Sequence, residues 1–291
     1  KSVTAQAIMG LVGRKQNEIV TGSIKFSEVG KTIDILRLRD KEIRDIRGRK
    51  ISMVFQEPMT SLHPMYKIGD QLKEAIQVHS NLACNEINKL IYEALDQVMI
   101  PNPKEIINDY PHSLSGGMRQ RVMIAMAILF RPKILIADEP TTALDVTIQS
   151  QILSLILKLV DEINLSVIFI THDMSVVSEI ADQVLVLKSG DLVERKTVAE
   201  IFNQPEEDYT KNLIKSVPIF GNYSQSEKLV HENQKDSCIL EVKNVSKTFI
   251  KKKGFFSKSL KENKALQNVS LEIRAGQTLS IVGESGSGKT T

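Results

Sequence analysis

The sequence lacks the features that would place it inside a membrane or in an oxidising compartment. No apolar run approaches the roughly 20 residues that a membrane-spanning helix needs, and no signal peptide is visible. The chain has two cysteines, Cys84 and Cys238, which lie far apart, suit a reducing cytosol and have no metal-ligand spacing. A net charge of +3 is too small to indicate nucleic-acid binding. The remaining composition is that of an ordinary globular protein.

One stretch of the chain, from His112 to Asp145, carries two chemical patterns at short separation. In the first, Ser115, Gly116 and Gly117 open an apolar, helix-like run. The backbone N–H groups at a helix start and the positive end of the helix dipole favour an anion such as a phosphate. The glycines let that anion come close, because no Cβ stands in the way. Alone, the pattern also fits a plain N-cap.

The second pattern is a short apolar run, Ile134 to Ala137, that ends in two carboxylates, Asp138 and Glu139. Such a run is typical of a buried parallel strand, and ligands bind at the carboxyl edge of open α/β sheets. One carboxylate can hold Mg²⁺, and the next can orient or deprotonate an attacking water. Alone, Asp-Glu-Pro also fits a solvated turn. The occurrence of both patterns in this order argues against a plain N-cap and a solvated turn.

These residues resemble a known family. Leu114–Arg121 is similar to the signature motif of ATP-binding-cassette (ABC) ATPases, Ile134–Glu139 to their Walker B strand and Ala143–Asp145 to their D-loop. Pro140–Gln149 is closer still to the oligopeptide/dipeptide importer branch. The resemblance implies an α/β fold, that of a P-loop NTPase with a RecA-like, mainly parallel sheet and an antiparallel β subdomain. It also implies an α-helical subdomain, which we expect at Ile68–Ile107.

Two phosphate loops are expected. The last nine residues, from Gly283 to Thr291, contain G-x-x-x-x-G-K-[ST] at Gly283–Thr290 and directly follow an apolar strand, Leu279–Val282. Lys1 and Ser2 precede a helix-like run and resemble the end of another such loop. The chain is therefore predicted to run from one phosphate loop to the next.

This organisation predicts three segments. Residues 1–217 would be a first ABC ATPase domain without its opening strands and most of its phosphate loop. Residues 218–237 are polar and read as a linker, and residues 238–291 would begin a second ABC ATPase domain. A bare edge of a hydrophobic parallel sheet is costly. By the resemblance, the strand that the first domain lacks would lie beside Val167–Ile170. We therefore expect residues 238–291 to fold back, so that Leu279–Val282 takes this place.

Two further polar residues follow predicted strands. Gln56 comes after Ile51–Phe55, and His172 comes shortly after Val167–Ile170. A glutamine or a lone histidine at such a place is usually a plain loop or structural residue. The resemblance identifies them with the Q-loop glutamine and the switch histidine, which act at the γ-phosphate. The segment Glu57–Pro64 resembles the loop with which peptide-type importers meet their membrane subunits.

The resemblance also implies the role of each site residue. Catalysis would rest on Glu139, His172 and Gln56. Magnesium would be held by Asp138, Gln56, Ser2 and Thr290. ATP would be contacted by an aromatic side chain, the two phosphate loops, the signature and the D-loop: Phe249, Lys1, Ser2, Gly283, Glu284, Ser285, Gly286, Ser287, Gly288, Lys289, Thr290, Thr291, Leu114, Ser115, Gly116, Gly117 and Asp145.

The expected function is that of an ATP-binding and ATP-hydrolysing subunit of an importer for peptides or similar small solutes, at the cytoplasmic face of the membrane. Its partners would be membrane permeases, a solute-binding protein and a second ATPase domain, with no nucleic acid. We expect no iron–sulfur cluster, because 218–237 contains no cysteine. The alternative is a soluble ABC ATPase of translation or DNA repair. It would need a long charged linker or a long coiled coil, and the sequence shows neither.

Overall fold

The computed structural model describes residues 1–12, 19–28, 30–56, 61–142, 144–216, 238–252 and 260–274, with Leu279 and Ile281. The chain divides into two compact units. One comprises Lys1–Leu144 and Ile148–Pro218, and the other Asp145–Thr147 and Ile219–Thr291. The segment boundaries expected at residues 217 and 238 stay predictions.

Helices and strands alternate along most of the described chain. The helices are α1 (Ser2–Ile8), α2 (Asp40–Ile46), α3 (Ile68–Gln77), α4 (Cys84–Gln97), α5 (Pro103–Ile106), α6 (Gly116–Ile128), α7 (Val146–Ile163), α8 (Met174–Ile180), α9 (Val198–Asn203) and α10 (Asp208–Lys215). The strands are β1 (Lys25–Glu28), β2 (Lys31–Asp34), β3 (Ile51–Val54), β4 (Ile134–Asp138), β5 (Ser166–Ile170), β6 (Gln183–Lys188), β7 (Asp191–Thr197), β8 (Cys238–Lys252) and β9 (Leu260–Arg274). Short 3₁₀ helices cover Ile35–Arg37 and Pro111–Ser113.

The predicted parallel sheet is present, with the strand order β3-β4-β5. Val54 pairs with Ala137, and Asp138 pairs with Ile170, so the carboxyl ends of all three strands meet at one edge. β3 and β4 are almost fully buried, as their apolar runs require. β5 forms as predicted but is not fully buried, and Ile168 is 37% exposed.

The strand predicted at Leu279–Val282 can be checked at two of its residues only. Leu279 and Ile281 belong to no strand and are 41% and 58% exposed, so the strand is not formed at these two positions. The other residues of that segment lie outside the described part of the chain. Its pairing with Val167–Ile170 stays a prediction.

The helical region expected at Ile68–Ile107 consists of α3, α4 and α5. Ile68, Leu72 and Ile76 repeat every four residues on α3, and all three are fully buried in the largest hydrophobic core. This spacing places them on one face of the helix. The entry to α3 requires a glycine, because a Cβ on Gly69 would lie 2.8 Å from the carbonyl oxygen of Ile107.

The segment after the sheet is an antiparallel hairpin, β6–β7, closed by α9 and α10. Its turn residues Ser189 and Gly190 have φ angles of 52° and 100°, as expected of a tight two-residue hairpin turn. The side chains of Met174, Val184, Val186 and Ile201 form a separate small core there.

Helix α1 is held against the sheet by a residue that the sequence pattern did not single out. The guanidinium of Arg47 donates from Nε to the carbonyl oxygen of Met9 and from Nη2 to that of Gly10, both at 2.7 Å. A cation is favourable at a helix C-terminus, where carbonyl groups lack intrahelical partners. Ala5 is fully buried in the core beside this contact. Together these contacts fix the position of Lys1 and Ser2.

No helix in the described part of the chain is both long and apolar enough to cross a membrane.

The second unit contributes the antiparallel pair β8–β9, in which Phe249 pairs with Asn263.

Candidate functional site

The site lies at the carboxyl edge of the parallel sheet. Gln56 follows β3 by two residues, Asp138 and Glu139 stand at the end of β4, and His172 follows β5 by two residues. Because parallel strands end at the same edge, the sheet brings together four side chains that are far apart in the sequence.

The Glu139 carboxylate is the centre of this group. Its Oε2 accepts hydrogen bonds from Gln56 Nε2 and from Thr142 Oγ1, both at 3.0 Å. Its Oε1 lies 3.2 Å from Nδ1 of His172. Three donors therefore fix the carboxylate, whose side chain is 18% exposed, while the His172 side chain is 68% exposed. The carboxylate is oriented, and the histidine remains accessible from solvent.

These contacts keep Glu139 ionised. Burial alone would raise its pKa, but the hydrogen bonds from His172 and Thr142 and the nearby charge of Lys1 outweigh that effect and lower the pKa. Hydrogen bonds to the charged form of a carboxyl group favour that form. Glu139 is thus a carboxylate at neutral pH and can accept a proton or orient a water molecule.

The backbone at Glu139 adopts an uncommon conformation. Its φ angle is +48°, in the left-handed region that non-glycine residues seldom occupy. Its N–H donates to the carbonyl oxygen of Ile170 at 2.9 Å, which ties the end of β4 to the end of β5. Backbone strain of this kind concentrates at functional sites. The turn directs the Glu139 side chain towards Gln56 and His172.

Asp138 and Ser2 form a second pair at the same edge. Asp138 is 4% exposed, and its Oδ1 accepts a hydrogen bond from Ser2 Oγ at 3.2 Å. Nearby, Nζ of Lys1 donates to the carbonyl oxygen of Thr171 at 2.7 Å. The predicted proximity of the start of the chain to the two carboxylates is therefore present.

The oxygen donors of Ser2, Asp138 and Gln56 suit magnesium, which prefers oxygen ligands. Within the described ranges, no group of three or more His, Cys, Asp or Glu side chains is arranged to hold a metal ion.

The signature residues form a separate group at the start of α6. Ser115 is the N-cap, and its Oγ accepts the N–H of Met118 at 3.2 Å. A Cβ on Gly117 would come within 2.7 Å of Cγ2 of Ile148, so this position has no room for a side chain. A Cβ on Gly116 would meet Leu144 Cδ2 at an ordinary 3.5 Å. The glycines thus bring α6 close to the start of α7.

The remaining predicted site residues are Leu114, Asp145, Phe249 and the phosphate loop. Leu114 is buried before α6, and Asp145 directly precedes α7. The side chain of Phe249 lies outside the described residues. So does the phosphate loop, with its residues Gly283, Glu284, Ser285, Gly286, Ser287, Gly288, Lys289, Thr290 and Thr291.

Sequence reasoning missed one functional contact, that of Thr142. Its hydroxyl lies at hydrogen-bond distance from Glu139 because the chain turns back after Pro140, with the N–H of Thr142 donating to the carbonyl oxygen of Glu139 at 3.2 Å. The signal was available as a threonine three residues after the carboxylate. That spacing becomes informative only when the turn is known.

Comparison with known proteins agrees with this geometry. A sequence model of the family described as ABC transporter matches residues 1–142 and 266–291. The chain belongs to this family, and its mixed α/β fold, with a parallel sheet and antiparallel strands, is that of the ABC ATPase cassettes.

Among curated proteins, the chain is similar to the glutathione import ATP-binding protein GsiA. It is 43% identical over 311 residues to GsiA of Salmonella typhi, and 43% identical over 311 residues to GsiA of Escherichia coli (strain K12). Both alignments cover 100% of this chain and 50% of the relative. The chain thus spans about half the length of the curated relatives it matches.

Two solved structures are similar in fold. The dimeric ATP-binding cassette MJ0796, in a post-hydrolysis state bound to ADP and Pi, aligns with a TM-score of 0.57 and 28% identity, covering 68% of this chain and 80% of that chain. CbiO1 from Clostridium perfringens, part of the ABC transporter complex cbiONQ, aligns with a TM-score of 0.55 and 26% identity. That alignment covers 70% of this chain and 74% of CbiO1.

Proposed function

We propose that the protein is an ATP-binding and ATP-hydrolysing subunit of an ABC importer for peptides or similar small solutes. The observation that carries the proposal is the Glu139 carboxylate, which is ionised and held by Gln56, Thr142 and His172 beside Asp138. This arrangement supports Glu139 as the residue that orients and deprotonates the attacking water. Phosphoryl transfer needs mainly positioning and charge stabilisation.

Each neighbour of Glu139 has a distinct task in this proposal. Thr142 and Gln56 hold Oε2, so the carboxylate cannot rotate away from the water. His172 holds Oε1 and keeps an exposed ring at the edge where the γ-phosphate would lie. Ser2 and Asp138 would hold Mg²⁺, which neutralises charge on the phosphate oxygens when it is bound.

ATP would be bound by groups from two directions. The first proposed set of contacts consists of Lys1, Ser2, Phe249 and the phosphate loop Gly283–Thr291. Ser115 caps a 13-residue helix that begins with Gly116 and Gly117, and the first N–H groups of a helix have no intrahelical acceptor. They are suited to a phosphate held by a second ATPase domain, and Leu114 and Asp145 are proposed members of the same face.

The names of the relatives support the importer role. GsiA is named for glutathione import, and glutathione is a small peptide, which fits the expected class of solute. Similarity to import proteins favours a transport ATPase over a soluble ABC ATPase of translation or repair. The proposed partners are membrane permeases, a solute-binding protein and a second ATPase domain, and the proposed location is the cytoplasmic face of the membrane.

An apolar groove beside Gln56 is the proposed docking surface for the permease. The groove has a volume of about 310 Å³, and four residues suffice to define it: Met53, Phe55, Val78 and Met126. Phe55 is 43% exposed and Val78 is 70% exposed, so the groove presents apolar side chains to solvent. Ser61, in the segment that resembles the permease-contacting loop, also lines it. We call it the docking groove.

The experiment that tests the ATPase assignment is Glu139→Gln in the full-length protein, with any second site already disabled. The carboxamide keeps the shape of the side chain but cannot accept the proton. ATP binding should be retained, and turnover should fall by about 10²- to 10⁴-fold. Unchanged steady-state hydrolysis would overturn the role of Glu139. Binding to permease subunits, measured for Val78→Asp against the parent protein, tests the docking groove separately.

A further inference from the structure

A cavity with a volume of about 610 Å³ lies at the edge of the parallel sheet that is opposite to Glu139. Its lining includes Lys50 and Lys133, which directly precede β3 and β4. The cavity is therefore at the amino-terminal edge of the sheet, whereas the candidate functional site lies at the carboxyl edge. We call this cavity the basic cleft.

The basic cleft has an excess of two positive charges. Its charged lining residues are four cations and two carboxylates: Arg49, Lys50, Arg131, Lys133, Glu28 and Asp45. Glu28 forms an ion pair with Lys50, and Asp45 is exposed to water. Within the described ranges, no hydrogen bond or ion pair engages the side chains of the other three cations. Three cations around one cavity are therefore available to an anion from outside the chain.

The backbone fixes the points from which two of these side chains start. The N–H of Lys133 donates to the carbonyl oxygen of Lys50 at 2.9 Å, which joins the beginnings of the two central strands. The N–H of Arg131 donates to the carbonyl oxygen of Ile128 at 2.8 Å, at the end of α6. The strands and the helix thus hold the cations around the same cavity.

Arg131 occupies a backbone conformation that favours glycine. Its φ angle is +48°, in the left-handed region in which many helices end, and glycine is the usual residue there because it has no Cβ. The Arg131 side chain is exposed, and within the described part of the chain no polar contact accounts for an arginine at this position. Binding of an external anion would account for it.

A phosphate group matches the basic cleft in charge, shape and size. A guanidinium group can donate to two oxygens of one phosphate at once, and a lysine adds a compact positive charge. A phosphate monoester has a charge of about −1.5 to −2 at pH 7, which is close to the excess on the cleft. The cavity leaves room for a group attached to the phosphate, and half-buried Phe130 offers that group an apolar surface.

We propose that the basic cleft is a second anion site of this protein, in which Arg49, Arg131 and Lys133 bind a phosphate group. The site is separate from the residues assigned to ATP, because it lies at the opposite edge of the sheet. It goes beyond the proposed function and does not depend on it. A small phosphorylated solute and the headgroup of an anionic lipid present the same oxygens to the cleft, and the experiment distinguishes these two sources.

The experiment uses the full-length protein with Lys1→Ala and Lys289→Ala, which remove one proposed phosphate contact from each ATP site. Binding of inorganic pyrophosphate is measured by equilibrium dialysis at constant ionic strength. The test variant is Arg131→Gly, and its affinity for pyrophosphate should fall by about tenfold or more, because a charge-assisted contact is lost. Glycine adopts the φ angle of residue 131 without a Cβ penalty, so the variant should resist denaturant at least as well as its parent.

Two controls separate the lost cation from the changed backbone and from the changed net charge. Met99→Gly makes the same kind of backbone change, because Met99 has a φ angle of +56° and is 49% exposed. Lys104→Gln removes one exposed positive charge outside the cleft. Both controls should bind pyrophosphate as the parent does. If Arg131→Gly binds as tightly as the controls, the assignment of Arg131 to a phosphate site is wrong.

A second variant, Arg49→Gln, keeps the test decisive if Arg131→Gly does not fold. It lies at an exposed position on another element of the cleft and should also weaken the binding of pyrophosphate.

The lipid source is tested by co-sedimentation with vesicles of phosphatidylglycerol, compared with vesicles of phosphatidylcholine. Binding that depends on Arg131 or Arg49 for pyrophosphate alone identifies a small solute, and the same dependence for phosphatidylglycerol alone identifies a lipid headgroup. Dependence on these arginines for neither probe would overturn the proposed site.

Discussion

Gln56 and Glu139 are separated by 83 residues, yet Nε2 of the first donates a hydrogen bond of 3.0 Å to Oε2 of the second. The contact joins the loop after β3 to the end of β4. The segment that resembles the permease-contacting loop directly follows Gln56. In the proposed function, this hydrogen bond therefore links permease docking to the carboxylate that positions water.

His172 should set the lower pH limit of ATP turnover. Its hydrogen bond helps to lower the pKa of Glu139, and Glu139 acts only when it is ionised. In His172→Ala the pKa of Glu139 rises, so the acidic limb of the pH profile of kcat should move to higher pH. At neutral pH kcat should fall by up to about 10²-fold, because the carboxylate loses one of its positioning contacts.

The measurement is single-turnover hydrolysis across the pH range. His172→Gln, which can still donate a hydrogen bond, serves as the control. A profile for His172→Ala that keeps its acidic limb at the parent position would contradict the assigned contact.

Thr142 should contribute through its hydroxyl group alone. Thr142→Val removes the donor to Oε2 of Glu139 while keeping the size of the side chain. We expect kcat to fall and the acidic limb of its pH profile to move to higher pH. The KM for ATP should change little. Thr142→Ser retains the hydroxyl and should restore most of the activity. Equal kinetics for the valine and serine variants would show that the hydroxyl has no role.

Gly117 and Gly116 should differ in their tolerance of a methyl group. Alanine at 117 would bring its Cβ to 2.7 Å from Ile148 Cγ2, whereas alanine at 116 makes an ordinary contact. Overpacking of this kind typically costs about 1–3 kcal/mol, while alanine usually stabilises a helix by about 0.5–1 kcal/mol relative to glycine.

Denaturant unfolding should therefore show Gly117→Ala to be less stable than Gly116→Ala. Ile148→Ala removes the clashing methyl group, so its combination with Gly117→Ala should cost less than the sum of the two changes. Full additivity would argue against the clash.

Glu194 should stabilise the hairpin segment at neutral pH and lose that effect in acid. It is 6% exposed and accepts hydrogen bonds from the N–H groups of Glu206 and Glu207, with Lys196 at 3.1 Å. Burial would raise its pKa, but the contacts outweigh it and lower the pKa from 4.5 to about 2. The stabilisation is fully present above pH 4.5 and is lost as the pH falls towards about 2.

Chemical unfolding of the parent protein and of Glu194→Gln at pH 7 and at pH 3 tests this. The glutamine variant should be destabilised at pH 7 by roughly 1–3 kcal/mol, because buried donors lose their charged acceptor. The difference should shrink at pH 3. Asp191→Asn, at an exposed position in the same hairpin, should show no such pH-dependent difference.

The fold class was expected from the resemblance to ABC ATPases, which rests on motifs that follow one another in a fixed order along the chain. The helical region at Ile68–Ile107 and the grouping of Gln56 with Glu139 were expected from the same resemblance. The parallel sheet gives the physical reason for that grouping, because parallel strands end at one edge. Apolar runs such as Ile134 to Ala137 predicted strands by themselves, because that signal is local.

Other features were decided only by the tertiary structure. The positive φ of Glu139, the hydroxyl of Thr142 and the capping of α1 by Arg47 depend on turns and on contacts between distant segments. The half-exposure of β5 depends on which elements cover the strand, which its apolar residues do not report. The docking groove forms because α6 ends beside α3 and the sheet. Side chains from separate segments form such surfaces, and no local pattern in the chain encodes them.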